Sequence, residues 1–284
     1  YIWNCKWYRF LFQLFLIMLK DIHQLKQSKI LVVGDSCIDV YNYGTCDRIS
    51  PEAPVPILKI EKSESKPGMA LNVATNLNSL GNETTIITNL EEIRKERYVC
   101  SRNMQHILRV DRGESEKIEP LRINSGFDAF DDRVGSLEDY DCLVISDYNK
   151  GFLPSSACRD LVDLARHYNK PIFVDTKKTD LTCFEGCVIK LNQSEYEKIT
   201  KYPTNCEMVT TLGAMGAMYR DDIYSTVKTE VFDVCGAGDT FLSAFVTHYM
   251  SFSSISTAID FANKVAAISV QKFGNYAPSL GEVS

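Results

Sequence analysis

Short apolar runs that close on polar residues recur along the chain. They are Lys29-Ile-Leu-Val-Val-Gly34-Asp35, Cys142-Leu-Val-Ile-Ser146-Asp147-Tyr148, Pro171-Ile-Phe-Val-Asp175, Cys187-Val-Ile-Lys190-Leu-Asn192 and Met208-Val-Thr-Thr211-Leu-Gly213. Continuous hydrophobicity of this length marks strands covered on both faces, as in a parallel sheet. Thr84–Thr88 reads as a further strand. Helical spacing appears between these runs. Lys66 to Gly81 reads as a Pro67-Gly68 turn leading into a helix, with Leu71, Ala74, Leu77 and Leu80 on its buried face. Ser155–Tyr168, Thr240–Met250 and Ala258–Lys272 carry similar stripes. Strand–helix alternation of this kind predicts an α/β domain with a mostly parallel sheet.

Two stretches break the alternation. Tyr41–Gly44 and Val55–Ile60 read as strands around Arg48-Ile-Ser-Pro-Glu-Ala-Pro-Val-Pro56, where three prolines within six residues forbid a helix or a central strand. Arg97–Cys100 and Gln105–Asp111 read as a hairpin around Ser101–Met104. Together, residues 40–60 and 97–111 predict a small lid sheet whose open edges suit pairing across a homodimer. Residues 1–28 read as an atypical hydrophobic extension: they hold both tryptophans, Trp3 and Trp7, and an apolar run from Phe10 to Leu19. That run is too short to span a bilayer comfortably and lacks a small-residue cleavage site. The domain is expected to cover 29–284.

The remaining composition is that of a soluble globular chain: 284 residues, 45% hydrophobic, 24% charged. A net charge of −6 argues against nucleic acid or an anionic membrane as a partner. The ten cysteines are scattered, and Cys183/Cys187 lack a second ligand pair at zinc spacing. Free thiols in a reducing cytoplasm are the expectation.

Candidate chemistry gathers where the strands end, as open α/β sheets require. The sharpest feature is Asp233-Val-Cys-Gly236-Ala237-Gly238-Asp239-Thr-Phe241. Val231, Phe232 and Val234 read as a strand approaching a glycine turn, with a helix leaving it. Backbone N–H groups at such a helix start attract an anion. An acid in the same turn makes sense if a hydroxyl must lose its proton beside a phosphoryl group in transfer. No Gly-Lys-Ser/Thr P-loop or Gly-x-Gly-x-x-Gly dinucleotide turn occurs, and none of the four histidines sits in a hydrolase motif. Asp39 reads either as a turn acid or as an acceptor for substrate hydroxyls. Arg48 reads as an anion clamp or a surface arginine, and Arg102 as a further group in reach of substrate. Gly68 would let backbone approach a ligand. Asn72 would bond a hydroxyl or cap the helix locally.

These motifs resemble the PfkB/ribokinase sugar kinases. Gly34-Asp35 with Asp39, the Arg48–Pro56 block, Pro67-Gly68 with Asn72, Ser101-Arg-Asn, Ser146-Asp-Tyr with Lys150-Gly, Asp175-Thr-Lys177 and Asn192-Gln-Ser-Glu195 are similar to one branch, the D-glycero-β-D-manno-heptose-7-phosphate kinases of ADP-heptose and lipopolysaccharide precursor synthesis. The likeness runs from about Lys29 to Pro278. It implies a ribokinase-like three-layer α/β/α sandwich with a β-sheet lid, and ATP-dependent phosphorylation at the sugar C1 hydroxyl. It also implies Mg²⁺ and leaves room for a monovalent cation. By position, Asp239 would be the general base, and Gly236, Ala237 and Gly238 the anion hole. Lys190, Asn192, Glu195, Thr211, Gly213, Gly216 and Asn263 would face the nucleotide, Glu195 reaching Mg²⁺ through water or phosphate. Asp39, Gly68 and Asn72 would contact the sugar, and Arg48, Arg102 and Lys150 its phosphate. The branch's kinase is sometimes fused to a nucleotidyltransferase, which is not expected within these residues. Three departures stand out. Met69 replaces a glycine, 90–97 is short by roughly a helix and a strand against the dozen or more residues of a crossover, and 201–208 lacks an expected helix. They leave open another sugar or nucleoside kinase, or a catalytically silent relative.

Overall fold

The computed structural model describes residues 24–114, 117–123 and 136–283. Most of the expected hydrophobic extension lies outside them. Of its last residues, Leu25 packs on the apolar core and the Lys26 N–H donates to Ser251 Oγ at 3.0 Å.

The parallel strands form where the apolar runs predict. They are β1 (Lys29–Gly34), β4 (Glu83–Thr88), β7 (Cys142–Asp147), β8 (Ile172–Thr176), β9 (Val188–Asn192) and β10 (Glu207–Thr211). Two short antiparallel strands, β11 (Ala217–Tyr219) and β12 (Asp222–Tyr224), extend one edge. The order is β12-β11-β10-β9-β8-β7-β1-β4. Side-chain alternation sorts each strand between two cores. Ile30, Val32, Cys142, Val144 and Phe173 face helices α1 (Ala70–Ser79), α4 (Ala237–Phe252) and α5 (Ile255–Ser269). Leu31, Val33, Leu143, Ile145 and Val174 face α2 (Ser155–His167). Burial on both faces explains why these strands read as continuous runs. A helical turn, α3 (Gln193–Tyr196), follows β9, and α6 (Leu280–Val283) ends the described chain.

A second sheet, ordered β3-β2-β5-β6, forms the lid. Its strands are β2 (Ser36–Ile49), β3 (Pro56–Met69), β5 (Arg94–Cys100) and β6 (Gln105–Arg112). Two sequence expectations change here. Pro67-Gly68 is not a turn: β3 continues through it to Met69, with Pro67 opposite Ile38. Proline is tolerated because β3 is an edge strand, where a missing N–H costs no ladder bond. Met69 adopts φ +56°, a conformation that favours glycine, yet its side chain is buried in the core beside Leu31, Val33 and Cys37. The approach to the glycine turn is not a strand either. Val231, Phe232 and Val234 are exposed, and the N–H groups of Phe232 and Asp233 donate to the Val270 carbonyl beyond α5.

The two shortened segments have local substitutes. Glu91–Ile93 lead from β4 straight into β5, leaving β4 as the sheet edge. Ile93 and Ile118 cover the face that a crossover helix would otherwise protect, joining Leu31, Val33 and Ile87. Between Lys201 and β10 no helix forms, and Tyr196, Ile199, Cys206 and Met208 pack on the core instead.

Gly34 shows how tightly the sheet centre is fitted. A Cβ there would lie 2.0 Å from the Ser146 carbonyl oxygen. Gly34→Ala is therefore expected to cost about 1–3 kcal/mol or more by overpacking. The loss will show as a lower denaturant midpoint with an unchanged slope.

Candidate active site

The polar strand ends converge beside the N-terminus of α4. Gly236 precedes the helix at φ +74°, and Asp239 lies in its first turn. A Cβ on Gly236 would meet Asn72 Nδ2 at 2.7 Å and Asn275 Oδ1 at 3.0 Å, so the turn closes only with glycine there. Gly238 is less confined: a Cβ there would meet only the end of the Lys190 side chain, with Nζ 2.8 Å away.

Asp239 is buried and held by two donors. Asn72 Nδ2 donates to Oδ2 at 2.8 Å, and the Tyr148 hydroxyl donates to Oδ1 at 2.7 Å. Burial pushes its carboxyl up to about 6, reinforced by Asp175 and opposed by Asn72, Tyr148 and Lys190. The group is thus ionised near neutrality yet basic enough to take a proton, which suits a general base. Asn72 reaches it because α1 and α4 share a polar seam. Thr240 Oγ1 donates to Asn76 Oδ1 at 2.9 Å, Ser243 Oγ to the Val73 carbonyl at 3.1 Å, and Asn82 Nδ2 to Thr247 Oγ1 at 2.8 Å.

A cavity of about 300 Å³ opens in front of Asp239 and is also lined by Tyr148, Asp175, Lys177, Lys190 and Asn192. Lys190 pairs with Asp175 Oδ2 at 2.6 Å, both side chains being buried. A second cavity of about 580 Å³ adjoins it through the shared residues Thr211, Gly213 and Gly238. Its walls are mainly apolar, with Val227, Val231, Val234, Phe241, Ala266 and Val270 among them. Gly216 and Asn263 line this larger cavity. The Asn263 amide is spent on the Tyr224 carbonyl at 2.8 Å, so it shapes the wall. An apolar slot joined to a polar, glycine-lined one that holds Lys177 and Lys190 fits a planar base and its phosphates.

Asn192 and Glu195 form a reciprocal capping box at 2.9 and 2.8 Å, and Lys177 pairs with Glu195 Oε1. Both Glu195 oxygens are therefore engaged. Buried Asp175 Oδ1 faces the site without a hydrogen-bond donor. Among the described residues no cluster of three or more His, Cys, Asp or Glu could hold a metal directly. Asp175 Oδ1, 3.8 Å from Lys177 Nζ and without a hydrogen bond of its own, fits the water shell of a magnesium ion rather than its inner ligands.

Asp39 stands on the other side of the turn. Arg97 Nη1 pairs with its Oδ1 at 2.5 Å and Asn275 Nδ2 donates to its Oδ2 at 2.7 Å. Gly68 sits against it: a Cβ would lie 2.3 Å from Asp39 Oδ2. Asn275, bound to Asp39, and Asn72, bound to Asp239, both crowd the space beside Gly236. Arg48 is exposed at the far end of β2. Arg102 is exposed and paired with Asp47 at 2.7 Å, and Lys150 pairs with Glu114 at 2.7 Å. Three residues that matter to this geometry were not among the sequence candidates. Tyr148 and Asp175 were visible as polar strand ends, whereas Asn275 carried no signal, because it lies in the irregular segment after α5.

The two-sheet architecture with its site at the strand ends defines a ribokinase-like fold. Escherichia coli phosphofructokinase-2 in complex with potassium superposes with a TM-score of 0.70 at 16% identity, covering 90% of this chain and 97% of that one. Arabidopsis thaliana ribokinase complexed with ribose and ATP superposes at 0.62 and 14% identity, covering 91% and 98%. The pfkB family carbohydrate kinase profile matches residues 98–280, and the chain belongs to that family. Among curated relatives, the bifunctional protein HldE of Nitratiruptor sp. is 32% identical over 90% of this chain and 64% of its own length. That of Campylobacter curvus is 30% identical over 91% and 64%. The chain thus spans about 64% of the length of these relatives.

The Lys190–Asp175 pair yields a test. Lys190→Met leaves buried Asp175 with only the more distant, partly exposed Lys177 at 3.8 Å and is expected to cost up to about 3–5 kcal/mol. Adding Asp175→Asn should recover a large part of that loss, measured by chemical denaturation as a double-mutant cycle.

Proposed function

We propose that the chain transfers the γ-phosphoryl group of ATP to the C1 hydroxyl of D-glycero-β-D-manno-heptose 7-phosphate, giving the 1,7-bisphosphate. The observation that carries this reading is buried Asp239, held ionisable between Asn72 and Tyr148 and facing the cavity it shares with Lys190 and Gly238. The relatives named HldE direct the choice of sugar phosphate within the family. ATP would enter through the apolar cavity, its phosphates lying against Lys190 and the backbone of Gly236–Gly238. Asp39, Asn72 and Gly68 would receive the sugar.

Asp239 takes the proton from the attacking hydroxyl. The N–H groups at the start of α4 and the Lys190 ammonium stabilise charge on the transferring phosphoryl group. Magnesium, when present with the nucleotide, neutralises phosphate charge, and Glu195 and Asp175 would hold its waters. A cytoplasmic site of action follows from the chemistry of ATP and sugar phosphates; no helix among the described residues is long and apolar enough to cross a membrane. The open edges of β3 and β6 suit a homodimer joined through the lids.

One observation favours a second reading, a sugar without the distal phosphate. Arg102 and Lys150 are already paired, with Asp47 and Glu114. ATP consumption measured across a panel of sugars and sugar phosphates separates the two. Turnover greatest with the heptose 7-phosphate supports the first, turnover only with an unphosphorylated sugar supports the second, and binding without turnover marks a silent relative. Asp239→Asn should lower kcat by at least ~10² with folding intact. In the wild type the base must be ionised, so kcat/KM is expected to fall tenfold per pH unit below about 6 and to level off above it. An acid limb that persists unchanged in the residual activity of Asp239→Asn would remove Asp239 from the role of base.

A further inference from the structure

Tyr148 enters the reading above only as a neighbour of Asp239. It follows β7 directly, and its backbone N–H donates to buried Asp35 Oδ2 at 2.8 Å. Asp35 also accepts from the N–H groups of Lys150 and Phe152, so one carboxylate at the end of β1 shapes the whole loop after β7. Two ammonium groups stand near the Tyr148 ring. Lys95 of the lid is 5.6 Å from its centroid and Lys177 is 5.1 Å away. Both distances suit cation–π attraction, which holds the ring in place. The hydroxyl lines the smaller cavity and ends 2.7 Å from Asp239 Oδ1.

A phenylalanine would fill the same space and keep both cation–π contacts. What the hydroxyl adds is a donor aimed at the carboxylate that receives the proton. With Asn72 on Oδ2 and Tyr148 on Oδ1, the plane of the Asp239 carboxylate is fixed from both sides. Each oxygen keeps a second acceptor direction for an incoming hydroxyl. Donation to the charged form favours that form. Without it, burial beside Asp175 would keep Asp239 protonated further into the working pH range.

We propose that Tyr148 is a positioning residue for Asp239: its hydroxyl fixes the carboxylate plane and favours the ionised, proton-accepting state. The titratable and charged groups facing this pair are Cys37 on β2, Lys95 on β5, Asp175 and Lys177 at the end of β8, and Lys190 on β9. Substituting Tyr148 leaves all five in place, so a change in Asp239 titration can be assigned to the lost bond.

The first arm of the test needs no substrate. The Asp239 carboxylate is titrated by carbon-13 NMR in the full chain, with Asp239→Asn assigning the resonance. Tyr148→Phe is expected to raise its pKa by about one unit, the size of one charge-assisted hydrogen bond. Placing 3-fluorotyrosine at 148 makes the hydroxyl a stronger donor and should lower it, and this second variant keeps the test open if the phenylalanine form folds poorly. An Asp239 pKa unchanged by the substitution overturns the proposal. The second arm rests on the kinase reading: the acid limb of kcat/KM should move up by the same interval in Tyr148→Phe, with kcat falling more than KM rises. An NMR shift with an unmoved acid limb would uphold the Tyr148–Asp239 bond and overturn Asp239 as the base. A fall in activity with both the NMR pKa and the limb unmoved would reduce Tyr148 to packing and overturn the proposal.

Discussion

A buried carboxylate that would have to accept a proton in the proposed reaction is the constraint on which this structure turns. Burial alone would neutralise Asp239, and a neutral acid takes no proton. A strong salt bridge would ionise it but make it a poor base. The chain settles between these limits. Neutral donors, Asn72 and Tyr148, contact the carboxylate, while the cation Lys190 acts beside Asp175 instead of directly on it. Position in the first turn of α4 adds the favourable end of a helix dipole. Holding Asn72 against Asp239 in turn needs a fixed register between α1 and α4. Asn76, Ser243, Asn82 and Thr247 supply it with paired buried polar groups, each of which would be costly to leave unmatched after a slip.

The shortened segments leave the groups around Asp239 in place. These come from the ends of β7, β8, β9 and β10 and from the helices α1 and α4, and the short passage into β5 still delivers Lys95 to Tyr148 and Arg97 to Asp39. The direct passage from β4 to β5 removes material at the opposite edge, where Ile93 and Ile118 close the apolar surface. The missing helix before β10 lies on the α2 face, away from the face that carries α1 and α4. Loss at an edge costs local burial, whereas loss at the sheet centre would separate Asp175 from Lys190.

Much of this was legible in the sequence because burial on both faces writes a continuous apolar run and a strand end writes a polar stop. Asn192 was found that way, Gly236, Gly238 and Asp239 through the glycine turn, and Lys190 through the family resemblance; the structure brings them together. The approach through Val231–Val234 misled for a physical reason: its β-forming side chains line the larger cavity, and its N–H groups bond the end of α5 instead of a neighbouring strand. Pro67-Gly68 misled because an edge strand tolerates proline, and because Gly68 serves close packing against Asp39 instead of a turn. Asn275 could not be found at all. Its role is a tertiary bridge between Asp39 and the Pro67 carbonyl, made from an irregular segment that has no periodicity to read.

The charges on the substrate side divide into two kinds, and the division bears on specificity. Arg97 is buried against Asp39, so separating them would strand a desolvated charge. Arg102 and Asp47 are exposed, and exposed pairs of this kind contribute only about 0–1 kcal/mol. A phosphate dianion could take Arg102 from Asp47 at small cost, but could not take Arg97 from Asp39. On the proposed reading, hydroxyl recognition would therefore rest on groups locked before the substrate arrives. Recognition of a distal phosphate would rest on lid charges recruited from weak partners. Under the proposed function, selection among sugars would then be strict near the transferring hydroxyl and permissive toward the far end.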